Sequence, residues 1–160
     1  MSICRLRRFT ESCLATALAA LGLCALCAPA RAAPGEGTAA AAELTPANLL
    51  SAVNDYRARR GLGRLHADAR LEAIALEHSA SMANAGRLSH GDFQARFRMT
   101  GRALCVENLA VGGRNPGVVI GAWRQSPEHH TNLLETEVGL AGVAVVGRYI
   151  TWLACTHRPA

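Results

Sequence analysis

Between Thr45 and Gly61 the residues Leu49, Leu50, Val53 and Tyr56 fall at helical spacing, with Asn54, Asp55 and Arg57 to Arg60 mostly on the other side. That pattern predicts an amphipathic helix. Thr45 is its N-cap, Pro46 occupies the first helical position, and Gly61 closes it. A second helix is expected from Asp68. Leu71, Ile74, Ala75, His78, Met82 and Ala85 line one face at steps of three and four, and Gly86 stops it. His78 lies inside that apolar stripe, which suits a buried histidine hydrogen-bonded to a neighbour better than a ligand-binding one. Met82 reads as core packing.

Beyond Gly86 the pattern shortens. A polar loop carries His90, and a short helical piece is expected from Phe93 to Met99. Ala103 to Val111 is apolar except for Glu107 and Asn108, and reads as a strand ending at Gly112-Gly113. Asn115-Pro116 caps a further helix whose apolar face is Val118, Val119, Ala122 and Trp123. Pro127 to Leu134 reads as a loop or one helical turn. Val138 to Val146 and Tyr149 to Thr156 are two β-rich runs joined in hairpin fashion at Gly147-Arg148. Helices come first and the clearest strands last, without internal repeat, which favours an α+β layered arrangement over βαβ alternation.

The first residues do not share this patterning. Arg5, Arg7 and Arg8 precede an uncharged segment, Ser12 to Ala30, and Ala30-Arg31-Ala32 has the small-x-small form of a cleavage site. This is the pattern of a secretory signal peptide. An uncleaved anchor is the competing reading, and Gly22, Pro29 and the alanine-rich end argue against it. Cys24 and Cys27 each follow a leucine, unlike a lipidation site, and Arg7-Arg8-Phe9 leaves the export route open. The expected organisation is a signal peptide over 1–32, a flexible Ala/Gly-rich leader over 33–44 and one domain over 45–160, secreted or periplasmic, with no transmembrane segment after cleavage.

Cleavage changes the charge. The 17 basic residues lose four and the 12 acidic residues lose one, leaving thirteen arginines against eleven carboxylates, a net charge of +2. No basic run is interleaved with aromatics, so nucleic acid is excluded as a partner class. Of six cysteines only Cys105 and Cys155 remain. In an oxidising compartment two cysteines are most simply a disulfide. A nucleophilic Cys105 with His90 or His129 as base is the alternative.

Glu107 is the candidate around which a site forms. A lone carboxylate in an apolar strand costs several kcal/mol to bury, on the order of what pairing or liganding must offset. Something cationic, protonated or metallic should face it, unless it points outward from an edge strand and is merely solvated. His90, in a polar loop, and His129, after Ser126-Pro127, lie about twenty residues to either side. Adjacent His129 and His130 diverge by about 100° on a helical turn, so one of them joins such a cluster easily. Two imidazoles and a carboxylate suit zinc, although no His-Glu-x-x-His motif is present. Ser89, Ser126 and Thr131 are near the histidines, without a Gly-x-Ser-x-Gly elbow.

Taken in order, these stretches resemble the CAP superfamily of cysteine-rich secretory, antigen 5 and pathogenesis-related proteins, in its compact bacterial form. The resemblance runs from Thr45 to Pro159. It rests on Asn54 and Tyr56-Arg57, on the helix running into Ser89-His90, and on Cys105-Val106-Glu107-Asn108-Leu109-Ala110. It continues through Trp123 to Leu134, similar to a Trp-x-x-Ser-Pro-Gly-His-Arg-x-Asn-Ile-Leu pattern, and ends at Cys155 to Pro159. It implies a three-layer α-β-α sandwich around a central, mainly antiparallel sheet. It also implies a cleft of two histidines and two glutamates, of which His90, Glu107 and His129 match three. The second glutamate falls near Ser126 and is missing; Glu128 stands where the pattern has glycine, and His130 where it has arginine. The function implied is that of an exported domain binding a small ligand, a lipid or a divalent metal such as zinc in that cleft, with no cofactor required. Two alternatives remain: a metal-dependent or acid/base hydrolase acting on a cell-envelope component, and a non-catalytic surface or matrix protein.

Overall fold

The structure, a computed structural model, describes residues 5–7 and 42–160. Apart from Arg5–Arg7, the expected signal peptide lies outside the described residues, as does most of the leader. Five helices occur among them: α1 (Pro46–Ala58), α2 (Ala69–Ala85), α3 (Phe93–Thr100), α4 (Pro116–Gln125) and α5 (Pro127–Leu133). The strands are β1 (Arg5–Arg7), β2 (His66–Ala67), β3 (Leu104–Val111), β4 (Leu140–Val146) and β5 (Tyr149–Cys155). They form one sheet in the order β1-β3-β5-β4-β2, antiparallel except between β2 and β4.

The expected caps at Thr45 and Asn115 form, and Asp68 caps α2 as well. Thr45 Oγ1 accepts from Asn48 N, Asp68 accepts from Arg70 N and Leu71 N, and Asn115 accepts from Val118 N. Each satisfies a backbone N–H that the first helical turn leaves without a partner. Gly86 ends α2 in the left-handed conformation, φ 64°. The expected loop or single turn after Pro127 is instead a helix of seven residues. Pro127 supplies a pre-set φ at its start, and its last turn is anchored by the buried Asn132 and Leu133.

The sheet separates two apolar layers, as the period-two alternation of its strands requires. Leu104, Val106, Val143, Ile150, Trp152 and Ala154 face α1, α4 and α5, where they meet Leu49, Val53, Trp123 and Leu133. Cys105, Leu153 and Cys155 face α2 and α3, where they meet Leu71, Ile74, Phe93 and Phe97. This is the expected three-layer α+β sandwich. Helix α2 lies directly on β4: a Cβ at Gly142 would overlap the Leu71 carbonyl carbon. The Ser79 hydroxyl donates to Thr151 Oγ1 at 2.8 Å and ties the same helix to β5.

Asn54 and Arg57 depart from the expected outward orientation; both are buried. Asn54 binds both backbone groups of Leu65, at 3.0 and 2.8 Å. Arg57 donates to the carbonyls of Gly63, Leu133 and Glu135. These side chains satisfy loop backbone that has no ladder partner, which is why a polar position on α1 turns inward.

The Cys105–Cys155 disulfide is present and joins directly opposed residues of β3 and β5. Cys105 is therefore not a nucleophile. No helix among the described residues is long and apolar enough to cross a membrane.

Candidate functional site

Strand β3 carries the site along its outer edge. Its register with β1 covers only Leu104 to Val106. Beyond that, side chains cap its outward carbonyls: Asn132 Nδ2 donates to the Glu107 carbonyl at 3.1 Å, and Trp123 Nε1 to the Leu109 carbonyl at 2.9 Å. Such coverage removes the free edge that invites strand pairing. Asn108 Nδ2 donates to the His129 carbonyl at 2.9 Å, and Asn132 Nδ2 also donates to Asn108 Oδ1 at 2.9 Å. Helix α5 is thus stapled to β3 by two carboxamides, and this fixes where His129 stands.

Glu107 points to the α2/α3 side and is wholly buried. It does not face solvent from the edge. Its Oε1 accepts from His90 Nδ1 at 3.1 Å and from Arg96 Nη2 at 2.8 Å, while Oε2 accepts from Arg96 Nε at 2.9 Å. The counter-charge required by a carboxylate in an apolar strand is therefore Arg96, in a two-pronged ion pair. Arg96 is itself buried and also donates to the Gly91 carbonyl. Burial alone would raise the Glu107 carboxyl, but the His90 and Arg96 hydrogen bonds and the Arg96 charge outweigh it and hold it below the usual range.

His90 and His129 approach across the strand edge, their ring centroids 6.0 Å apart. The carboxylate accepts from His90 Nδ1, so that nitrogen carries a proton. The His129 imidazole makes no hydrogen bond among the described residues. Burial first, and the neighbouring His90 second, lower its affinity for a proton, with Glu128 opposing. His130 turns away and bonds the Tyr56 hydroxyl through Nε2 at 2.7 Å. Glu128 forms no hydrogen bond with either cleft histidine, though its charge acts on His129.

His90 therefore touches both Glu107 and His129, and the three expected residues share one locality. Two further members were not expected. Arg96 is one. His78 is the other: it is buried, its Nε2 donates to the Ser89 carbonyl at 2.9 Å, and desolvation lowers its pKa against the nearby Glu107 charge. It is hydrogen-bonded to a neighbour, as the apolar stripe suggested. A clue to Arg96 was its place at helical spacing from Phe93 and next to Phe97, on the apolar face of that helix.

The donor set does not fit a resident zinc ion as it stands. Both Glu107 oxygens are held by a guanidinium, which a cation about 2 Å from the carboxylate would have to displace. Among the described residues no group of three or more His, Cys, Asp or Glu side chains is placed to hold a metal. Next to His129, an apolar groove of about 290 Å³ runs along Leu109 to Gly113 beneath Val118, Val119 and Ala122.

This chain belongs to the CAP family, the cysteine-rich secretory protein family, whose pattern matches residues 50–152. Among solved structures it is similar to an extracellular protein containing an SCP domain from Bacillus anthracis, with 25% identity, a TM-score of 0.65, and coverage of 69% of this chain and 40% of that one. It is also similar to a cysteine-rich secretory protein from Staphylococcus aureus, at 17% identity and a TM-score of 0.62, covering 68% of this chain and 37% of that one. An outer surface protein from Borrelia burgdorferi matches at 24% identity and a TM-score of 0.62, covering 68% of this chain and 89% of that one. The chain thus spans about two fifths of the Bacillus and Staphylococcus proteins. No curated protein matches it.

Proposed function

We propose that this chain is an exported CAP-domain binding module. It takes a small amphiphilic ligand, with a polar head between His90 and His129 and an apolar part along the groove from Leu109 to Gly113. The observation that carries this reading is the His129 imidazole. It is half-buried, without a hydrogen-bond partner among the described residues, and at the head of an apolar groove. Small-molecule sites combine these features: an apolar lining and a few polar groups that fix orientation. The extracellular and outer-surface descriptions of the Bacillus and Borrelia proteins support export, together with the signal-like segment at 1–32.

A hydrolase has less support. Thr131 Oγ1 donates to the Pro127 carbonyl, Ser89 Oγ accepts from Gly91 N, and Glu107 is committed to Arg96. The test is mass spectrometry of small molecules that co-purify with the exported protein and with its His129→Ala and Ala122→Phe variants. A molecule held by the wild type and lost from both variants supports the reading. Nothing bound, or retention by both variants, overturns it.

A further inference from the structure

A second cavity, of about 360 Å³, opens between α2 and α3 on the other side of the His90 loop. Ile74, Met82 and Met99 give it apolar walls. Its polar lining is unusual in what it leaves unpaired. His78 lines the cavity and is only 7% exposed. Its Nε2 must carry the proton donated to the Ser89 carbonyl, so in the neutral ring Nδ1 is a bare acceptor. Nδ1 makes no hydrogen bond among the described residues. It is also not among the fully enclosed polar atoms without a partner, which are Asn132 Oδ1 and Trp152 Nε1. An acceptor left open to the cavity can take a donor from outside the protein, water or a ligand N–H group.

The charges around the cavity specify that donor further. Glu77 and Asp92 line the same space, both are exposed, and neither forms an ion pair among the described residues. Asp92 precedes α3 with φ 58° and makes no capping hydrogen bond, so its carboxylate is not spent on the helix. Arg96, also at the wall, is neutralised by Glu107, and Arg87 is the remaining cation at the rim. An anion would meet two carboxylates and a bare nitrogen lone pair. A cation with N–H groups meets complementary partners in all three.

We propose that this cavity is a second binding site, taking a primary alkylammonium whose head donates to His78 Nδ1 and faces Glu77 and Asp92, and whose short chain lies against Ile74, Met82 and Met99. It is separate from the His90–His129 cleft and does not depend on what binds there.

The experiment is an amide-NMR titration of the exported protein at pH 7.5 with n-hexylamine, which is protonated at that pH, and with hexanoate of equal chain length. The expected result is saturable hexylammonium binding with shifts centred on Ala85 and Ala95, no binding of hexanoate, and affinity at least tenfold weaker in a Glu77→Gln/Asp92→Asn variant. Both substitutions are at exposed positions, so folding is kept. Equal binding of hexanoate, unaltered affinity in the double variant, or shifts confined to Gly112 and Gly113 would overturn the assignment.

Discussion

His90 and His129 meet across the edge of β3 because each is tied to that strand by a different group. His90 is held through the Glu107 side chain at 3.1 Å, and His129 through its own carbonyl on Asn108 at 2.9 Å. Two consecutive residues of one strand, pointing to opposite faces of the sheet, thus bring together a loop from one layer and a helix from the other. The cleft is a property of the sheet edge rather than of either helical layer.

Arg96 is the counter-ion of a carboxylate with no exposed surface. Arg96→Gln should therefore destabilise the fold by about 3–5 kcal/mol, the usual cost of leaving one member of a buried pair without the other. A companion Glu107→Gln change should restore part of that loss by removing the stranded charge. Urea unfolding of the two single variants and the double variant measures this as a double-mutant cycle. Additive losses would show that the pair is not coupled.

Acid should weaken the fold in two stages. His78 and His129 are lowered by burial from 6.5, so the folded state binds fewer protons than the unfolded state. Stability then falls as pH drops below about 6.5, the unfolded histidine value. Glu107, lowered from 4.5, contributes stability that is present above that value and is lost as pH falls through its folded pKa. Thermal melts between pH 8 and 3 should show both stages, and His129→Gln should shrink the first. A melting temperature flat from pH 8 to 5 would contradict it.

Reducing the disulfide should cost about 4 kcal/mol, the chain-entropy value for a loop closed over 50 residues. Denaturant midpoints with and without reductant, and in Cys105→Ala/Cys155→Ala, give the figure. Equal midpoints would show that the cross-link constrains nothing.

Zinc titrated at pH 7.5 should produce no binding heat that His90→Ala/His129→Ala removes, because Arg96 occupies the carboxylate a third ligand would need. In Arg96→Gln, provided it folds, such heat should appear and should weaken at pH 5.5, where imidazole ligands compete with protons. Tight zinc binding by the wild type that the histidine variant abolishes would refute this.

Features set by near neighbours were legible from the sequence. The caps at Thr45 and Asn115 depend on residues three positions away, and Gly86 on its own backbone angle. Glu107 stood out because a charge in an apolar strand must be answered. Arg96 did not, because its partner lies eleven residues on, in another element. Arg57 and Asn54 misled for the same reason: their partners are carbonyls of distant loops. The two-residue strand β2 is too short to show alternation, and it pairs with β4 only once the tertiary fold brings them together.

The disulfide lies close enough to the cleft to bear on its geometry. Cys105 is two residues from Glu107 on the same strand, and its bond to the opposed Cys155 pins the register of β3 against β5. A slip of one residue would turn Glu107 to the opposite face, away from Arg96 and His90, and carry Asn108 off its hold on α5. The cross-link that braces the centre of the sheet thereby also keeps a carboxylate and a carboxamide on the two faces from which they hold the histidine pair together.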